Sequence, residues 1–218
     1  MKKNMYSLML AEDVIRAVDA LAAEQGTNRS NMVNQILAEH VSLVTPEKHV
    51  GHIFDVIEAL MGGRGDYRLY AEPNNLTMSI KSVLRYHYRP TIRYEVEMER
   101  TPKRTVGQLK VLFRTTSPDL LLGLTRFFKI WMRLESIYLK QYFGDNTPRY
   151  AMEEGRFRRT FALPGEEVYD DDQIGAAIGG FVANFDEMLK CYLAGEFSSS
   201  EEMEDRYLAY LNSGVRLI

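Results

Sequence analysis

Residues 3–41, KNMYSLMLAEDVIRAVDALAAEQGTNRSNMVNQILAEHV, change hydrophobic period once and carry two helix-boundary signals. Over residues 3–10 the period is two. Tyr6, Leu8 and Leu10 share one face and Met5, Ser7 and Met9 the other, as in a strand. From residue 12 the period lengthens: Val14, Ile15, Val18, Leu21 and Ala22 recur at helical spacing, and Val33, Ile36, Leu37, His40 and Val41 do so again. Gly26 stops the first helix, because glycine enters the left-handed conformation past a helix end at little cost. Asn28, or Thr27 beside it, caps the second helix. One short strand neither buries a face nor satisfies its own backbone. It needs the same strand from a second chain.

Strand, helix, glycine turn and helix in this order resemble the ribbon-helix-helix family of DNA-binding proteins (the Arc, MetJ and CopG group), whose paired strands enter the major groove. The resemblance is confined to the N-terminal module, residues 1–43. It implies a homodimer formed through the N-terminal strand, with double-stranded DNA as partner. By position, Met5, Ser7 and Met9 would face the bases, and Asn28, Arg29 and Ser30 would hold a backbone phosphate at the second helix's N-terminus. Lys2 and Lys3 would lie near flanking phosphates. One departure stands out. Family members often carry Arg, Lys, Thr, Asn or Gln on the base-facing side, whereas Ser7 is the one polar reader here. The two methionines can pack on thymine methyl groups but make no bidentate hydrogen bonds.

At 218 residues the chain is longer than such a module and has room for one or two domains. Its single cysteine, Cys191, excludes an intrachain disulfide and fits a reducing compartment. The N-terminal lysines precede no apolar core of a signal peptide. The most apolar stretch, residues 120–134, is interrupted by Arg126, Lys129 and Arg133, which argues against a membrane span. The expected location is the cytoplasm, with no membrane partner.

Charge is unevenly spread although the net value is −3. Residues 64–159 hold 19 basic and 10 acidic side chains, whereas residues 160–218 hold 3 basic and 12 acidic. Residues 1–48 hold 5 basic and 6 acidic, a poor balance for binding phosphates. Placement partly answers the objection. Lys2, Lys3 and Arg29 fall on the DNA side and are doubled in a dimer, while Asp13, Asp19 and Glu24 are expected on the first helix, away from the ribbon.

Residues 44–63 read as a connector: a short link containing Pro46, then a helix from Val50 to Met61 ended by Gly62 and Gly63. Period two returns with Leu76, Met78 and Ile80, then Ile92, Tyr94, Val96 and Met98, then Leu109, Val111 and Phe113. Prolines 90 and 102 separate these runs, which predicts an antiparallel meander. Further expected elements are helices over residues 119–142, 174–193 and 200–211 and a fourth strand over residues 156–163. The fold class expected is α+β, a ribbon-helix-helix module followed by an antiparallel sheet covered by long helices. Residues 64–218 are expected to form the oligomerisation or effector-sensing domain.

Motifs for catalysis are lacking: no phosphate-binding glycine loop, no cysteine pair, no HExxH and no Ser/His/Asp context. His49 and His52 have ligand spacing, with His87 and Cys191 as further donors, but they do not cluster; neither a metal nor any other cofactor is expected. The dense basic and aromatic run Arg85-Tyr86-His87-Tyr88-Arg89, if extended, puts Arg85, His87 and Arg89 on one face. There they could hold a small anionic effector, joined by Arg156, Arg158 and Arg159. The competing reading pairs these arginines with Glu95, Glu97 and Glu99, or with the acidic C-terminal region.

The expected function is therefore a non-enzymatic, dimeric transcriptional regulator, a repressor, with dimers joined into tetramers through the C-terminal domain. The alternative is an antitoxin or plasmid-maintenance protein whose C-terminal region binds a protein partner.

Overall fold

The computed structural model describes residues 5–41, 45–63, 65, 67–71, 76–100, 102, 104–165 and 169–213. Helices α1 (Glu12–Glu24), α2 (Arg29–His40) and α3 (Pro46–Met61) come first, then strands β1 (Tyr67–Ala71), β2 (Thr77–Val83), β3 (Thr91–Met98) and β4 (Thr105–Phe113). Helices α4 (Pro118–Tyr138) and α5 (Lys140–Phe143) lead to the hairpin β5 (Tyr150–Glu153) and β6 (Arg156–Ala162), followed by α6 (Asp171–Leu193) and α7 (Ser200–Asn212). The strands form one antiparallel sheet of six in the order β1-β2-β3-β4-β6-β5. This is an α+β fold.

The expected strand over residues 3–10 is absent from the single chain. Residues 1–4 lie outside the described residues, residues 5–11 form no ladder, and α1 is the first regular element. A strand is defined by its neighbour, and among the described residues the segment 5–10 has none. The connector helix starts four residues earlier than its apolar stripe, at Pro46. There Thr45 Oγ1 accepts from Lys48 N at 3.3 Å and the proline occupies the first turn, where it has no hydrogen bond to lose.

The meander is present as β2, β3 and β4, and the fourth strand as β6. Both edge strands, β1 and β5, escaped the sequence reading because each is short and only half-buried. The long helix expected over residues 119–142 breaks at Leu139, where the chain turns to bury Leu139 and Phe143 before Gly144 at φ 53° ends it. Residues 84–90 make a turn, not a strand.

Alternation sends Met78, Ile80, Ile92, Tyr94, Val96, Leu109, Val111, Phe157 and Phe161 to one face of the sheet. Helices α3, α4 and α6 bury that face. Phe128 of α4 lies flat on Phe157 at 4.6 Å between centroids, and Trp131 meets the edge of Phe185 of α6 at 4.8 Å. Such aromatic contacts add about 0.5–1.5 kcal/mol each beyond their area. No helix among the described residues is long and apolar enough to cross a membrane.

Helix α6 approaches α3 closely because its contact residues are glycines. A Cβ on Gly175 would lie 2.7 Å from Val56 Cβ and 2.9 Å from Ile53 O. At Gly179 the nearest atom, Leu60 Cδ1, would be 3.4 Å away, an ordinary contact. Gly175→Val should therefore overpack the α3–α6 seam and cost about 1–3 kcal/mol. In a chain of this size each kcal/mol lowers the melting temperature by about 2–4 °C. An unchanged midpoint in differential scanning calorimetry would show that the seam can open at no cost.

Candidate functional site

The turn between α1 and α2 is closed by its backbone. Thr27 N donates to Ala22 O at 2.8 Å and Gly26 N to Ala23 O at 3.2 Å, with Gly26 at φ 60°. This paired bonding is the Schellman end of a helix, and only glycine takes that φ without strain. Asn28 then caps α2, its Oδ1 accepting from Asn31 N at 2.9 Å. Both caps lie where the sequence reading put them.

The apolar packing differs from the expectation. Only Val18, Ala22 and Met32, with Val33 against them, make a core between the two helices. Val14, Leu21, Ile36, Leu37 and Val41 are exposed, as are Tyr6, Leu8 and Leu10 of the preceding segment; Leu8 is 62 % and Leu37 53 % accessible. Three buried side chains cannot offset the entropy of ordering two helices. Each helix has apolar positions beyond those its partner helix covers.

The residues expected at DNA are distributed as follows. Lys2 and Lys3 lie outside the described residues. Met5, Ser7 and Met9 are exposed, and so are Tyr6 and Leu8 on the opposite face. Asn28, Arg29 and Ser30 come together at the N-terminus of α2, where the first N–H groups have no intrahelical acceptor. Arg29, however, is turned back onto α1: Nε and Nη2 donate to the two Asp19 carboxylate oxygens at 2.6 and 2.5 Å. Its hydrogen bonds hold the Asp19 carboxyl below the usual carboxylate range. Both side chains are exposed, so the pair is held weakly.

The expected effector face of Arg85, His87 and Arg89 does not form. In the turn between β2 and β3, Leu84 N donates to Pro90 O at 2.9 Å and Arg89 N to Tyr86 O at 2.8 Å, so side chains no longer alternate. Arg85 reaches α6, 3.1 Å from Glu187, and beyond its end Glu196 at 3.4 Å, in line with the competing reading. His87 and Arg89 stay in solvent, with Arg89 at φ 50°. Arg85 and Arg206 flank the Cys191 thiol, which burial pushes up to about 11. Of the other arginines, Arg158 pairs with Glu153 on the outer face of the sheet, and Arg159 points inward.

Arg159 belongs to one of two buried ionic clusters that sequence reasoning missed. It meets Glu135 of α4 through Nε and Nη2 at 2.7–3.0 Å, both side chains buried, and its guanidinium lies 4.2 Å from the Phe181 ring centroid. Tyr150 donates to the same carboxylate at 2.7 Å. In the second cluster Asp186 of α6 takes Lys190 at 2.8 Å, Tyr94 Oη at 2.7 Å and Ser82 Oγ at 3.0 Å. Strand alternation places Arg159 between Phe157 and Phe161, a signal in the sequence that the run of basic residues obscured. Charges in these clusters are paired rather than poised for reaction.

His49 and His52 are each held by a carboxylate of α6, Asp171 at 2.8 Å and Asp172 at 3.0 Å. Among the described residues no group of three His, Cys, Asp or Glu side chains is arranged to hold a metal ion. No protein-family model matches the sequence, and no curated protein and no solved structure matches it either. The chemistry has to be read from the chain's own geometry.

Two outcomes follow from the buried clusters. Arg159→Ala leaves the Glu135 carboxylate buried without its partner and should cost about 3–5 kcal/mol, measured by urea unfolding. A cost no larger than that of an ordinary surface substitution would mean that Glu135 is solvated. Burial also raises the hydroxyls of Tyr94, Tyr150, Tyr207 and Tyr210 above their usual value of 10.0. The unfolded chain releases these protons first, so stability is intact below about pH 10 and falls as pH rises beyond it. Tyrosinate absorbance should appear for these residues together with loss of the fold; smooth titration in a folded protein would contradict their burial.

Proposed function

We propose that the chain is a dimeric, sequence-specific DNA-binding transcriptional regulator, a repressor, of the ribbon-helix-helix kind. The observation that carries this reading is the solvent-exposed apolar surface of residues 5–41 around a correctly capped helix pair. A second copy covers such a surface by pairing residues 5–10 antiparallel and setting α1 and α2 against their equivalents. The strand that is missing from one chain is supplied by two.

In that dimer the residues on one face of the paired strands, Met5, Ser7 and Met9, enter the major groove. Ser7 offers the hydrogen bond, and the methionines read thymine methyl groups. A phosphate sits at the N-terminus of α2, where free N–H groups and the positive end of the helix dipole attract it. Arg29 exchanges Asp19 for that phosphate. The exchange suits a weak, exposed pair, and it leaves Asp19 near the DNA as a brake on non-specific binding. Residues 64–218 then serve as the oligomerisation or effector-sensing domain.

Leu37 is exposed in one chain, so Leu37→Asp breaks no packing within it but puts an unpaired carboxylate into the dimer core. Sedimentation of the full chain should shift from dimer to monomer, and retardation of DNA from upstream of its own gene should be abolished. For Arg29→Ala the slope of log affinity against log salt should fall by about 0.9 for each phosphate that is no longer neutralised. A wild-type chain that sediments as a monomer, or shows no salt-dependent binding to duplex DNA, sinks the proposal.

A further inference from the structure

Helices cover one face of the sheet, and among the described residues the other face is open to solvent around Lys81 and Arg93. On that face the ladder sets one row of side chains across the strands: Arg68, Lys81, Arg93, Leu112 and Arg156. Just past the end of β4 stands Arg114. Lys81, Arg93, Leu112, Arg114 and Arg156 line a shallow groove of about 510 Å³, closed at one end by the β5–β6 turn at Gly155. Four cations from four separate segments thus surround one apolar floor.

Carboxylates do not balance them. Arg93 has Glu95 at 3.0 Å, and Arg156 reaches Glu153 at 3.7 Å, but Glu153 is also taken by Arg158. Lys81 lies over the Tyr70 ring at 5.1 Å, a contact that leaves its ammonium charge uncompensated. Among the described residues neither Lys81 nor Arg114 has an ion pair. The neighbouring row is different, since there Lys110 is matched by Glu97 at 2.8 Å. Antiparallel sheets tolerate a wet face, but cross-strand neighbours of like charge are unfavourable, and Lys81 stands directly opposite Arg93.

We propose that this groove binds a small polyphosphate, of the class of a nucleoside di- or triphosphate. Arginine forks suit phosphate oxygens in pairs, lysine adds a mobile charge, and Leu112 gives an apolar rest for a ring. The volume lies in the range of small-molecule sites, roughly 300–1,000 Å³. From β2 to β6 is three strand spacings, about 14 Å, the span of a few phosphates and a sugar. A polymer fits less well. Glu95 borders the row, and Glu153 and Glu154 close its end, so the basic track is interrupted. This inference goes beyond the DNA reading and does not depend on it.

The test is calorimetric titration of the full chain with ATP, inorganic pyrophosphate, adenosine and a single-stranded oligothymidylate. ATP should bind with a dissociation constant below about 1 mM, pyrophosphate more weakly, and adenosine not measurably. Lys81→Ala/Arg114→Ala should weaken ATP by at least about tenfold, because it removes charge-assisted bonds to two phosphates. Both residues are exposed, so an unchanged thermal midpoint without ligand will show that the variant folds. Arg85→Ala, in the turn between β2 and β3, should bind ATP as wild type does. No binding of ATP or pyrophosphate overturns the proposal, as does equal binding by the double variant. Binding of the oligonucleotide alone, abolished in the same variant, would assign the groove to a nucleic-acid strand and overturn it as well. No arm uses duplex DNA, so failure here leaves the regulator reading where it stood.

Discussion

Helix α6 is the element to which the other parts of the α+β domain are fitted, and the constraint is that one helix must satisfy four different neighbours. Gly175 lets α3 come within backbone distance. Phe181 and Phe185 interlock with Phe127 and Trp131 of α4. Asp186 reaches down to β2 and β3 with Lys190 beside it, and Glu187 with Cys191 receives Arg85 and Arg206. The capping box at its start, where Asp170 and Gln173 exchange hydrogen bonds, fixes where the helix begins and so which residues face each neighbour. A register error of one residue would turn Asp186 away from Tyr94 and a glycine away from α3 together.

The two buried ionic clusters act on specificity more than on stability. Taking Glu135, Arg159, Asp186 and Lys190 out of water is costly, and the pairing roughly restores what desolvation removes. What the pairs do is penalise alternatives. Arg159 has a home only if α4 presents Glu135 above β6, and Asp186 only if α6 crosses β2 and β3 at Ser82 and Tyr94. An apolar core of phenylalanines alone would tolerate sliding helices.

Much of this arrangement was legible in the chain, and the failures have separable causes. Strong alternation in β3 and β4 and long apolar stripes in α4 and α6 were readable because each buries a full face. Gly26 and Asn28 were readable as caps because their chemistry is local. The edge strands β1 and β5 were not readable, since an edge buries little and its pattern is diluted. Arg85, His87 and Arg89 do not share a face because the chain between β2 and β3 closes a turn, with Leu84 N donating to Pro90 O. Lys81, Arg93, Arg114 and Arg156 lie far apart in sequence, so only the ladder could assemble them. The strand expected at residues 3–10 is a different case: in the proposed dimer its partner belongs to another molecule, which a single chain cannot display.

That difference divides the molecule. Among the described residues from Pro46 to Asn212 the apolar positions that face inward are covered within one copy and the buried charges are paired. From Met5 to Val41 the balance is reversed: caps, turn and helix lengths are in place, but only Val18, Ala22, Met32 and Ala38 are buried. In the proposed dimer the uncovered apolar surface is buried by association, which makes the stability of this segment depend on concentration. Glu39 and Lys48, 3.0 Å apart, form an exposed and therefore weak ion pair across the short link between α2 and α3. The link is brief, so in the proposed dimer a second copy that docks on α1 and α2 also brings a second sheet domain close. The domain with the complete core would then determine which pairs of dimers can form, while the incomplete one determines that dimers form at all.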